Sequence, residues 1–396
     1  MKVTSYETQR PPDNERAILV GHVGGTRKDR GAGREFIERS IDELALLADT
    51  AGAVVADKLL QRRGTIHPAT FLGKGKVEEL KQLADMRDAA LIIFDDDLSP
   101  AQVKNLENLL QRKVIDRSEL ILDIFARRAR SRESRLQVEL AQLEYTLPRL
   151  TGMWKHLERQ AGGIGTRGPG ETQLETDRRM VREKIARLKR ELESVERERE
   201  TQRSRRRREF RAALVGYTNA GKSTLFNTLT RAGVFVENRL FATLDSTTRQ
   251  LVSPERDMAL VTDTVGFIRK LPHHLVASFH STLVEAVEAD VLLHITDAAD
   301  PDFVRHITAV DTVLDKILKE PRPPRIMVFN KADRLTEDQA ASLRINHPGA
   351  LIVSALTGDG MDELRRDIFS RASEHARNLR APQAQDESES TEPWKP

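Results

Sequence analysis

The sequence predicts an α/β protein in which a mostly parallel sheet flanked by helices is preceded by a small α/β domain and a long antiparallel helical hairpin. Three observations carry that reading. Over residues 17–115, short apolar runs alternate with segments of helical periodicity, the pattern of a parallel sheet covered by helices. Residues 116–209 hold two highly charged stretches, each with a narrow apolar stripe, around a glycine-rich break. From residue 210 on, short apolar runs end again and again in small polar motifs.

At 396 residues the chain is long enough for two to three domains with separate cores. It has no cysteine, which excludes disulfides and Cys-ligated zinc and leaves the compartment unread. Residues 1–16 lack the apolar core of a signal peptide, and no stretch approaches the length of a membrane span. The expected location is the cytoplasm, with at most a minor fraction at a membrane surface. Aromatic residues are 5% of the chain, which argues against a base-stacking platform. Charged residues are 32% and unevenly placed, although the net charge is only +3.

Residues 1–16 read as a flexible polar lead, and residues 17–115 as the small α/β domain. Ala17 to Val20 is a strand candidate. A helix is expected over 40–50, with Ile41, Leu44, Leu47 and Ala48 on one face. A strand starts within 51–56, and a helix follows Phe71 with Val77, Leu80, Leu83 and Met86 in phase. Ala90 to Phe94 is the clearest strand. Ser99 and Pro100 then serve as N-cap and first residue of a helix carrying Val103, Leu106, Leu109 and Leu110. Gly73-Lys74-Gly75-Lys76 precedes a helix but lacks full phosphate-loop spacing, and is read as a surface turn. Asp95, Asp96 and Asp97 are read as a solvated loop rather than a metal site.

In the hairpin, residues 116–209, Leu136, Leu140, Leu143 and Leu147 alternate by fours and threes. Val181, Ile185, Leu188, Leu192 and Val195 do the same, which is a coiled-coil seam. The loop 152–172 between them is rich in glycine and has little core of its own. That composition suits a segment ordered by a partner, the alternative being a plain flexible connection. Arg127, Arg128, Arg130, Arg132 and Arg135 open the first helix, and Arg203 with the unmixed run Arg205-Arg206-Arg207-Arg208 closes the second. Counterion release from a polyanion is a natural use of such a run. Few aromatics favour phosphate and shape contacts, and the narrow apolar faces favour RNA over a membrane. Candidate RNA contacts are Gly165, Thr166, Arg167, Gly168, Arg205, Arg206, Arg207 and Arg208.

Residues 210–378 hold the chemistry. Gly216-Tyr217-Thr218-Asn219-Ala220-Gly221-Lys222-Ser223 fits the phosphate-loop pattern G-x4-G-K-[ST]. It lies between an apolar run, 210–215, and a helix, 223–230, with Leu225, Phe226 and Leu229 in phase. The glycines let backbone N–H groups turn toward a phosphate at a helix N-terminus. Lys222 can reach the β- and γ-phosphates, and the Ser223 hydroxyl can ligate Mg2+. A second run, 258–262, ends in Asp263-Thr264-Val265-Gly266. Asp263 stands where a carboxylate reaches Mg2+ through bound water, and the Gly266 N–H where it meets a γ-phosphate. A third run, 325–329, ends in Asn330-Lys331-Ala332-Asp333. Asp333 can accept from guanine N1–H and the exocyclic amine, whereas adenine would leave a buried carboxylate unpaired. Ser354-Ala355-Leu356 would back the base. The nucleotide read from this order of motifs is GTP.

These segments resemble the HflX family, phosphate-loop GTPases of the translation-factor class. The resemblance covers residues 17–378 and is most specific outside the nucleotide motifs. It lies in the segments at Phe71–Val77, Val114–Arg117, Leu136–Ala141 and Gly165–Glu175. Phe241-Ala242-Thr243-Leu244-Asp245, followed by Thr247-Thr248-Arg249, resembles the family's switch I. The resemblance implies a monomer that binds the large ribosomal subunit and its RNA, the N-terminal region reaching toward the peptidyl-transferase region. It also implies action in ribosome splitting or rescue under stress, or in ribosome biogenesis. By position, Thr243 is implied as the second Mg2+ ligand, and Phe241 to Asp245 as nucleotide contacts. Lys222, Thr243 and Gly266 are then the residues implied in catalysis. Ser246 departs from the family's usual proline, so switch I is expected to be somewhat looser. Phe267 stands where many small GTPases carry a water-orienting glutamine, so intrinsic hydrolysis is expected to be slow.

His294, inside the run 291–297, is read as a core residue, and His273, His274 and His280, in an expected helix 272–288, as structural. A terminal helix is expected over 361–378, and residues 379–396 as a disordered acidic tail. Two functional readings stay open. One is a GTP-driven switch on the ribosome; the other is an RNA-binding assembly protein in which GTP is structural and turnover incidental. A GTP-dependent ligase is disfavoured because no second substrate site is evident.

Overall fold

The computed structural model describes residues 15–23, 32–62, 66–152, 169–204, 209–230, 240–254, 257–270, 285–318 and 320–380. The chain forms two compact units, Met1–Arg127 with Arg135–Glu191, and Arg128–Ser134 with Leu192–Pro396. No helix among the described residues is long and apolar enough to cross a membrane.

The first unit is built on a four-stranded parallel sheet in the order β2-β1-β3-β4. The strands are β1 (Arg16–Val23), β2 (Val54–Arg62), β3 (Leu91–Phe94) and β4 (Lys113–Asp116). Its helices are α1 (Ala32–Thr50), α2 (Lys74–Arg87), α3 (Pro100–Leu110) and α4 (Arg117–Arg128). Ile18, Val20, Leu80, Ile92, Phe94 and Leu106 pack at the centre of its core. Ser99 caps α3 in a reciprocal box with Gln102.

Several elements differ from expectation. Helix α1 starts eight residues earlier than residue 40, at Ala32. Met86 is 74% exposed and Leu109 48%; the turn they sit on faces solvent, and Ala84 and Gln102 take buried places instead. Gly73 and Gly75 border open space, and Lys76 pairs with Glu79 at 2.7 Å. Asp95 is not solvated. It is buried, accepts from Ser40 Oγ at 2.7 Å, and pairs with the Arg117 guanidinium at 2.6 Å. Arg117, also buried, pairs with Glu43 as well. A guanidinium taken out of water needs that much counter-charge, and the expected loop residue supplies it.

Helix α4 closes at Arg128, and α5 runs from Arg132 to Thr146, so the single helix expected there is two. Gln137, Val138, Leu140, Ala141 and Tyr145 form the buried side of α5, whereas Leu136, Leu143 and Leu147 are only half-buried. The seam is therefore rotated from the leucine spacing. A short 3-10 turn, Leu147–Gly152, follows. Helix α6 (Pro169–Ser204) pairs with α5 through Lys184–Glu139 and Lys189–Glu144. Gly165, Thr166, Arg167, Gly168 and Arg205 to Arg208 lie outside the described residues.

The second unit holds a six-stranded sheet in the order β10-β9-β8-β5-β7-β6. β5 (Phe210–Gly216) is parallel to β7 (Met258–Asp263) and β8 (Val291–Asp297) on its two sides. β9 (Arg325–Asn330) and β10 (Leu351–Ile352) continue the parallel set. The edge strand β6 (Thr247–Val252), not expected from sequence, runs antiparallel to β7. Helix α7 (Lys222–Thr230) buries Leu225, Phe226 and Leu229. The terminal helix Met361–Arg380 buries Met361, Leu364, Ile368 and Ala372 at helical spacing. His294 is a core residue, its pKa pushed down to about 3 by burial, with the Arg325 and Lys222 charges adding. His273, His274 and His280 lie outside the described residues.

Candidate functional site

Between β5 and α7 the chain turns through Asn219 and Gly221, at φ of 61° and 88°. A side chain at Gly221 would collide with the Asn330 amide, so the loop closes this tightly only with glycine there. Lys222 is buried, and its Nζ donates to the carbonyls of Gly216 at 3.1 Å and Tyr217 at 3.0 Å. Burial pushes its pKa down to about 8, with Asp263 opposing in part. The ammonium is folded back on its own loop, in reach of any anion the loop amides would hold.

Three oxygens meet beside it. Ser223 Oγ lies 2.7 Å from Thr243 Oγ1 and donates to Asp263 Oδ2 at 2.6 Å, and Thr243 Oγ1 donates to the same oxygen at 3.3 Å. Asp263 is fully buried at the end of β7, and its Oδ1 finds no hydrogen-bond partner among the described residues. Burial pushes the Asp263 carboxyl up, against the Lys222 charge and the two hydroxyls. Two hydroxyls and a buried carboxylate with an idle oxygen are hard donors of the kind Mg2+ takes. The residues fit the ion.

The segment 263–267 is pinned to the loop. Thr264 Oγ1 donates to Leu214 O at 2.6 Å, Phe267 N–H to Gly216 O at 3.1 Å, and Thr218 N–H to Phe267 O at 2.7 Å. A Cβ on Gly266 would come within 2.8 Å of Thr218 and 3.0 Å of Lys222 Nζ, so the chain passes this close to the loop lysine only with glycine there. The Phe267 ring is buried and offers nothing to orient water. Tyr217, which sequence reasoning placed only as a loop member, stacks on His306 at 3.9 Å, and its hydroxyl accepts from Arg269 N–H at 2.8 Å.

At the base end, Asn330 Nδ2 donates to Ala220 O at 2.9 Å, and Asn330 Oδ1 accepts from Ala355 N–H at 3.0 Å. One side chain thus joins the loop, β9 and the 354–356 segment. Lys331 Nζ donates to Asn219 O at 2.8 Å and to Asp297 at 2.7 Å, a partner the sequence did not suggest. Ser354 Oγ donates to Asp333 Oδ1 at 2.5 Å. Asp333 is exposed, not buried as the sequence argument supposed. Its cost to adenine arises only once a base covers it. Leu356 is 79% exposed.

Within 241–245 the side chains go different ways. Phe241 and Leu244 are buried, and the Thr243 hydroxyl joins the oxygen cluster. The Asp245 carboxylate instead accepts from Arg130 N–H, Ser131 N–H and Ser131 Oγ at 3.0, 3.1 and 2.6 Å. No spacing in the sequence pointed to that pairing.

Ser354 holds Asp333 at one end of the site and the Ser223, Thr243 and Asp263 oxygens meet at the other, and the class this defines is that of the phosphate-loop GTPases: the chain hydrolyses GTP. Three family models cover most of it, described as GTP-binding GTPase N-terminal over residues 38–126, GTP-binding GTPase middle region over 128–206, and 50S ribosome-binding GTPase over 211–331. The chain is 50% identical to the GTPase HflX of Lacrimispora saccharolytica over 359 residues, 88% of this chain and 81% of that one. It is 45% identical to the GTPase HflX of Flavobacterium psychrophilum, covering 91% of each chain. The Escherichia coli GTPase HflX is 45% identical over 91% of this chain and 83% of that one. A GTP-binding protein of the archaeon Sulfolobus solfataricus, solved with GDP, aligns at a TM-score of 0.45 and 22% identity over 91% of this chain and 99% of that one. The chain belongs to the HflX family of GTPases.

Proposed function

We propose that the protein is a GTP-driven switch that associates with the large ribosomal subunit in the cytoplasm, as a monomer, and acts there in ribosome splitting, rescue or biogenesis. The nucleotide lies on the loop Gly216–Ser223, with Lys222 turned from its carbonyls onto the phosphates. Ser223 and Thr243 would hold Mg2+ directly and Asp263 through bound water, and the ion would supply charge neutralisation at the phosphates. Asp333 selects guanine. The observation that carries the switch is the cluster of Ser223, Thr243 and Asp263 oxygens within 3.3 Å. A bound ion and γ-phosphate would tie Thr243 more firmly there, so loss of the γ-phosphate would loosen the segment around it.

Two features support the ribosomal target. The model matching 211–331 is described as that of a 50S ribosome-binding GTPase, and the arginine run Arg205 to Arg208 suits a polyanion. In this reading residues 116–209, with the loop 152–172, form the RNA-contacting module ahead of the GTPase domain 210–378. Phe267 leaves the protein without a water-orienting side chain at that position, so the missing group comes from elsewhere in the chain, from the bound ribosome, or from both.

The test is steady-state GTP hydrolysis with and without purified large subunits, with ATP in parallel. Strong stimulation that is lost on deleting residues 165–170 is the expected result. Turnover indifferent to the subunit would support the assembly-protein reading instead. ATP hydrolysis surviving Lys222→Ala would place a second nucleotide site elsewhere in the chain.

A further inference from the structure

Asp245 lies 114 residues beyond Ser131, yet both of its carboxylate oxygens are engaged there. Ser131 Oγ donates to Oδ1 at 2.6 Å, and the amides of Arg130 and Ser131 donate to Oδ2 at 3.0 and 3.1 Å. Ser131 Oγ also accepts from Ser134 N–H at 3.0 Å, so the same hydroxyl caps the first turn of α5. A carboxylate gripped at both oxygens by three donors has little rotational freedom left.

The clamp sits two residues from the metal cluster. Thr243 is bracketed by buried Phe241 on one side, and by buried Leu244 and the clamped Asp245 on the other. A free Asp245 would leave the stretch between Thr243 and the start of β6 at Thr247 tied only through Leu244. We propose that Ser131 is a positioning residue for GTP hydrolysis, which holds Thr243 in place by clamping Asp245. The proposal rests on the reading of Thr243 as a metal ligand.

The test uses the full chain and four proteins: wild type, Thr243→Ala, Ser131→Ala and Ser131→Thr. The readouts are affinity for fluorescent GDP, affinity for a non-hydrolysable GTP analogue, and the Mg2+ concentration each requires. Ser131→Ala should weaken the analogue roughly ten- to a hundredfold, the worth of one hydrogen bond to a charged group. It should raise the Mg2+ requirement in parallel, leave GDP affinity unchanged, and be rescued by Ser131→Thr. Equal losses for GDP and the analogue would reduce Ser131 to a structural cap and overturn the proposal. A loss in Thr243→Ala without one in Ser131→Ala would overturn the clamp alone. No loss in Thr243→Ala would overturn the metal-ligand reading, and the clamp's role in hydrolysis with it.

Discussion

Gly266→Ala tests whether the segment 263–267 reads the γ-phosphate through its backbone. The new Cβ would lie 2.8 Å from Thr218 Cγ2, 2.9 Å from Thr218 Cα and 3.0 Å from Lys222 Nζ. Neither of the last two yields readily: one is backbone, and the other is buried and bonded to two carbonyls. Reaching the ordinary contact distance of 3.4 Å from 2.9 Å requires a shift of about 0.5 Å away from the loop. That same shift stretches Phe267 N···Gly216 O from 3.1 to about 3.6 Å and Thr218 N···Phe267 O from 2.7 to about 3.2 Å. The first ceases to be a hydrogen bond and the second weakens. The cost is about 1–2 kcal/mol, or roughly tenfold in the population of the closed switch. GDP has no γ-phosphate for the Gly266 N–H to meet. Titration with fluorescent nucleotides should therefore show GDP affinity kept and GTP-analogue affinity down about tenfold, with single-turnover hydrolysis falling at least as far. Equal losses for both nucleotides would mean a general distortion of the loop. No loss for either would mean that the Gly266 amide does not sense the γ-phosphate.

In the first unit, burial and the neighbouring Asp116 raise the Glu119 carboxyl to about 7, and Tyr145 Oη donates to both carboxylates at 2.8 and 3.3 Å. A raised carboxyl binds a proton more tightly folded than unfolded, so stability is full below pH 4.5 and falls as pH rises toward 7. The full shift corresponds to about 3 kcal/mol, and partial exposure reduces it to about 2 kcal/mol. Glu119→Gln should raise the urea midpoint of this unit at pH 8 and leave it unchanged near pH 4.5; the opposite pH dependence would refute the argument. Asp333→Asn puts an N–H donor against the guanine amine and should cost GTP about ten- to a hundredfold in affinity. Competition with ATP should then show the preference for GTP reduced by that factor, and an unchanged preference would remove Asp333 as the selector.

The difference between what the sequence disclosed and what it concealed has a physical basis. The strands β5, β7, β8 and β9 were legible because strands buried on both faces read as unbroken apolar runs, and the motifs at their ends are local in sequence. The edge strand β6 was not: of Thr247 to Val252 only Leu251 is buried, so the run has no apolar pattern, and its place is set by pairing with β7. The rotated seam of α5 failed for a related reason, since Gln137 and Tyr145 occupy places that leucine spacing assigned to Leu136 and Leu143. Tyr145 earns its burial through a hydrogen bond to Asp116, which hydropathy cannot register. Buried charge was the least legible feature. Arg117 and Asp95 look like surface residues one at a time, and only their 2.6 Å contact explains why both are inside. Asp245 belongs with them. Read along the chain it is one more nucleotide contact in 241–245, but its carboxylate is spent on Arg130 and Ser131, 115 and 114 residues away. Motif spacing locates groups that act on a ligand, because the ligand fixes their geometry. It says nothing of groups that act on each other, and the control of a switch is built from groups of that second kind.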